Sequence, residues 1–148
     1  MKRAVTMVTT LFLLAVAALV AAQPASAGST CAFPLCSQTI NDNAKGVPGF
    51  IVQRDWCGND ANTREVEDMR CPTPSPRRLL SSGESTALDQ DWDAVKFPAG
   101  CYGYFHAVNW LGGADRNYPV DRRRSPNRTT LWFRVHNDEV AHVTMRCS

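Results

Sequence analysis

The chain has 148 residues, 16 basic and 14 acidic side chains, and six cysteines. Lys2 and Arg3 lie in an apolar leader, so the remainder balances 14 basic against 14 acidic residues. Generic attraction to nucleic acid or to an anionic membrane needs net or clustered positive charge, and the net term is absent.

Met1-Lys2-Arg3 is a short basic start, followed by an apolar run from Ala4 to Ala22 broken only by threonines. Pro24 breaks the helix, and Ala25-Ser26-Ala27 has the small-x-small pattern of a signal-peptidase site. The leader 1–27 is therefore expected to be a cleaved signal peptide. Residues 28–148 are expected to form a single secreted, extracellular domain with no membrane span, in a compartment where disulfides persist. The bias toward alanine and arginine fits a GC-rich bacterial coding sequence.

Residues 28–48 read as a loop-rich entry. Phe50 to Trp56 reads as a strand, bounded by Pro48-Gly49 and Gly58-Asn59-Asp60. Thr63 to Met69 reads either as one or two helical turns, with Val66 and Met69 three apart, or as a charged, solvated loop. Pro72, Pro74 and Pro76 make the next stretch extended and stiff, and Arg78-Leu79-Leu80 suggests a short strand. Asp91 to Phe97 and Cys101 to Trp110 read as strands around the turn Pro98-Ala99-Gly100. Tyr118 to Val120 is extended after the break at Gly112-Gly113. Thr129 to His136 and Glu139 to Arg146 flank Asn137-Asp138, a loop that predicts a two-residue hairpin. That register would set His136 opposite Glu139, and Phe133 opposite His142.

Short strands between Gly, Pro and Asn turns, without a long amphipathic helix, predict a mainly β fold: a small antiparallel sandwich or partly open barrel. Six cysteines in an exported domain predict three disulfides. Chain order favours Cys31–Cys36, Cys57–Cys71 and Cys101–Cys147. No C-x-x-C is present, structural zinc is not expected, and no cofactor is implied.

Three constellations carry candidate chemistry. Asp89, Asp91 and Asp93 alternate with Gln90 and Trp92, so in an extended chain they line one side. Such a row of oxygen donors suits Ca²⁺; the competing reading is a solvated strand face with Trp92 in the core. Arg122, Arg123 and Arg124 form a basic cluster near Tyr104 and Trp110. Arginine and aromatic residues are enriched at protein–protein hot spots, which makes these five the candidate binding residues. Finally, His142, Glu139, Arg134 and His136 supply the base, acid and anion clamp of a phosphodiesterase.

Gly113-Ala114-Asp115-Arg116 is similar to a short stretch of the guanyl-specific microbial ribonucleases, and that likeness implies such a site. The chain departs from that family in lacking the strand glutamate and the long helix. It also lacks G-x-S-x-G, H-E-x-x-H, S-x-x-K and phosphate-cradling glycine motifs. The sequence therefore reads first as a secreted, non-catalytic binding protein for an extracellular protein or cell-surface polymer, inhibitor-like, surface-binding or bacteriocin-like. Nucleic acid is not the expected partner. The alternative is a small secreted hydrolase acting on RNA or cell wall.

Overall fold

The computed structural model describes residues 31, 35–58, 63–124 and 128–148. The expected leader 1–27 and residues 125–127 lie outside the described residues. Among the described residues, nine strands form two sheets: β1 (Gln38–Asn41), β2 (Phe50–Gln53), β3 (Glu65–Glu67), β4 (Arg77–Leu80), β5 (Ala94–Phe97), β6 (Cys101–Asn109), β7 (Arg116–Asp121), β8 (Leu131–Arg134) and β9 (Glu139–Cys147). One sheet has the order β1-β9-β6-β7 and the other β3-β8-β5-β2-β4. The fold is mainly β, as expected. All pairings are antiparallel except β1 with β9, which run parallel. No helix of the described residues is long and apolar enough to cross a membrane.

Alternation along β6 and β9 builds the core between the sheets. Cys101, Phe105 and Ala107 of β6 point inward, with Ala141, Val143 and Met145 of β9. From the opposite sheet come Val52, Val95, Phe97 and Phe133, all buried. The ring of Phe105 stacks on Phe133 at 4.9 Å between centroids, and Phe97 meets Phe133 edge-on at 5.5 Å. Aromatic contacts of this kind add to the apolar area they bury.

Cys31–Cys36, Cys57–Cys71 and Cys101–Cys147 are the three disulfides, the predicted set. Cys101 and Cys147 sit opposite each other in the β6–β9 register and close a 46-residue span. The Cys57–Cys71 segment covers the outer side of the five-stranded sheet. There Met69, Ala94 and Trp132 form a second small core, with Ile51, Trp56 and Val66 against it.

The hairpin across Asn137-Asp138 is a correction. The turn exists, with the Glu139 amide donating to the His136 carbonyl at 2.9 Å. Yet β8 pairs with β5 and β3, whereas β9 pairs with β6 and β1, so the turn arches from one sheet to the other. Phe133 therefore faces Val95 and Glu65 in register rather than His142. Both faces of the segment are apolar because Phe133 enters the main core and Trp132 the second one. Residues 65–67 are likewise a strand, edging the sheet against β8, not a helical turn or loop.

The loop-rich entry contains β1, which the sequence does not announce because its inward residues are polar. Thr39 and Asn41 are both fully buried. Residues 80–86 supply partners: Asn41 Nδ2 donates to the Leu80 carbonyl at 2.8 Å, and the Thr39 amide donates to Thr86 Oγ1 at 2.9 Å. Asn41 and Thr86 amides donate to the Glu84 and Thr39 carbonyls. These bonds tie the free edge of β1 to the end of the other sheet, giving a partly closed barrel on that side.

Candidate functional site

Because Phe105 and Ala107 face the core, the intervening β6 residues Tyr102, Tyr104, His106 and Val108 face outward. In register, Tyr102 lies beside Asp121 and Arg146, Tyr104 beside Pro119 and Thr144, and His106 beside Asn117 and His142. Tyr104 is 54% exposed. The Arg123 guanidinium lies 4.5 Å from the Tyr102 ring centroid, within cation–π range. Arg123 Nε also donates to Asp121 Oδ1 at 2.9 Å. Hydrogen bonds from the Arg123 side chain and amide hold the Asp121 carboxyl down at about 2. Tyr102, Tyr104, Pro119, Asp121 and Arg123 line a shallow hollow of about 410 Å³. Gly103 permits this geometry: a Cβ there would collide with the Thr144 carbonyl on β9.

Of the five predicted binding residues, the structure brings Arg123 and Tyr104 together. Arg122 instead bridges to the other sheet, donating to Glu67 Oε1 at 2.8 Å and to Thr129 Oγ1 at 2.6 Å. Arg124 is exposed beside the hollow. Trp110 lies past the far end of β6, its amide donating to the Asp138 carbonyl at 2.8 Å. Tyr118 points inward onto Phe105 and Phe133. Tyr102, Pro119 and Asp121 are absent from the predicted set. The alternation of residues 101–109 is the signal that locates Tyr102.

A second, polar hollow of about 360 Å³ lies at the opposite end of β6. Arg64 and Glu139 form a two-pronged ion pair within its wall, and His136, Arg116, Asn109 and Asp138 complete it. Gly113 and Ala114 of the ribonuclease-like stretch also line it. Burial pushes the Glu139 carboxyl up, but hydrogen bonds from Arg64 and from the His136 amide outweigh burial and hold it below its usual value. Burial, followed by the Arg64 charge, lowers the His136 imidazole, which is therefore neutral at neutral pH. Asn109 Nδ2 donates to Asp138 Oδ2 at 2.6 Å.

The predicted phosphodiesterase set is not assembled. His136 and Glu139 meet in this hollow, but Glu139 already accepts three N–H donors. A carboxylate held in that way, with a lowered pKa, is a weak general base; its role is to fasten the turn at His136. His142 lies on the outer face of the four-stranded sheet, its Nδ1 2.9 Å from Asp42 and its ring 6.2 Å from His106. The Arg134 guanidinium lies over Trp56 at 5.9 Å on the other sheet.

The three aspartates divide as well. β5 begins at Ala94, short of the predicted start at Asp91, and Asp89 lies in a turn before it. Asp91 and Asp93 converge on Ser37, while Asp89 is exposed. Among the described residues, no three His, Cys, Asp or Glu side chains are grouped to hold a metal ion.

Compared with known protein families, curated proteins and solved structures, the chain matches none of them significantly.

Proposed function

We propose that this chain is a secreted, non-catalytic binding domain. Its particular binding surface is the outer face of the four-stranded sheet at Tyr102, Tyr104, Pro119 and Arg123, and its partner is an extracellular protein. The observation that carries this reading is the exposed Tyr104 beside a Tyr102 ring already held by Arg123. Tyrosine and arginine dominate protein–protein hot spots. A ring and guanidinium set in place before binding lose little side-chain freedom when the partner arrives. Asp121 and Arg123 pair with each other on this face, while Arg124 and Arg146 stay exposed at its margin. The face suits a ligand recognised by ring contact and paired polar groups.

The leader and three disulfides support an extracellular setting. At the polar hollow, a hydrolase acting through His136 would find Glu139 already accepting three N–H donors. The test is capture from the extracellular fraction of the source organism, run in parallel with protein-free wall polysaccharide. The mature chain is expected to retain a protein that the Tyr102→Ser/Tyr104→Ser variant does not. Equal retention by that variant would remove the proposed surface, and selective retention of polysaccharide would replace the partner class.

A further inference from the structure

Ser37 joins the entry segment to the chain leading into β5. Its hydroxyl lies 2.9 Å from Asp91 Oδ1 and 3.3 Å from Asp93 Oδ1, and it accepts the Trp92 amide at 2.8 Å. The Ser37 amide donates to the same Asp91 oxygen at 3.0 Å. A hydroxyl has one proton to give. The closer contact, to Asp91, uses it. A proton on Asp93 would let that carboxyl donate to the Ser37 hydroxyl across the 3.3 Å contact, and would remove a charge beside Asp91.

We propose that Ser37, Asp91 and Asp93 form a proton-operated clasp that holds the Cys31–Cys36 segment to the five-stranded sheet under acidic conditions and loosens it in alkali. Burial, then the neighbouring Asp91 charge, raises Asp93 to about 7, in agreement with a proton held there. The charged groups acting most on Asp93 are Asp91 and, from β8, Arg134, whose cation favours ionisation. From the end of β2, the Arg54 carbonyl accepts the Asp93 amide. The Asp93 carbonyl accepts the Val135 amide, so β5 stays fixed while the Ser37 side is free to part. Cys36, next to Ser37, is fully buried while the clasp is closed. Opening exposes the Cys36 side of the bridge, whose Cys31 side is half-buried in the closed form.

The test is reduction of the mature protein by a phosphine, followed by alkylation and mass spectrometry, with Cys101–Cys147 as the internal reference. Between about pH 5 and pH 9, reduction of Cys31–Cys36 is expected to accelerate about tenfold relative to the reference, as local opening becomes easier. Asp93→Asn places an amide N–H where the proton sat and is expected to stay slow throughout. Wild-type rates independent of pH, or the same acceleration in D93N, would overturn the proposal. Infrared titration of the wild type covers a D93N chain that fails to fold: a protonated carboxyl band must persist until near-neutral pH, and its loss below about pH 5 would equally overturn it.

Discussion

Arg64 and Glu139 stand 75 positions apart in the chain and meet as a two-pronged ion pair behind the turn that links the two sheets, both nearly buried. Removing one partner leaves an uncompensated charge in place. Arg64→Ala is expected to cost about 3 kcal/mol or more in denaturant unfolding, whereas Arg64→Met/Glu139→Leu together should cost less than the single change. A single change as mild as a surface substitution would contradict this role.

The three disulfides close spans of 5, 14 and 46 residues. If they act mainly by restricting the unfolded chain, replacing each pair by alanine should cost about 2, 3 and 4 kcal/mol in that order. Thermal unfolding of the three double variants gives the ranking; a reversed order would assign the stabilisation to native contacts instead.

Gly103 and Gly112 separate two kinds of glycine requirement. A methyl group at Gly103 meets the Thr144 backbone, while at Gly112 it meets open space but a φ of +83°. Gly103→Ala is expected to part β6 from β9 and cost more than about 2 kcal/mol, against about 1 kcal/mol for Gly112→Ala. Equal losses would mean that β6 and β9 adapt at no cost.

Stability should depend on pH in two opposed ways. Asp93 is raised from 3.8 to about 7. Its stabilising proton is fully in place below about pH 4 and lost as pH rises toward 7. Glu139 and Asp121 are lowered, so their contributions are present above their ordinary values and lost as pH falls through the folded ones. The melting temperature is expected to peak near about pH 4 to 5 and fall on both sides. A profile that rises steadily into alkali would contradict the Asp93 assignment.

What the sequence discloses follows the range of the forces involved. The cysteine pairing is legible from chain order, and β2, β5 and β6 from runs of branched and aromatic residues between turns. The Asn137-Asp138 turn is legible too, but a turn fixes only the path of four residues. Whether β8 and β9 then pair depends on β5 and β6, which take up their hydrogen bonds. β1 escapes a hydrophobic reading because Thr39 and Asn41 are buried through partners more than 35 residues away. The candidate surface is half legible: Tyr104 and Arg123 stand out in the chain, but Arg122 and Arg124 look equivalent to Arg123 until Glu67 claims the first. Ser37 lies 54 residues from Asp91, and no local pattern links them.

The central claim is the location of the binding surface, and backbone chemical-shift mapping tests it most directly. With the captured partner added to isotope-labelled mature chain, the largest changes are expected at Tyr102, Tyr104, Thr144, Asp121 and Arg123, with His136 and Asn109 unchanged. Changes confined to His136, Asn109 and Arg116 would place the site in the polar hollow and contradict the account.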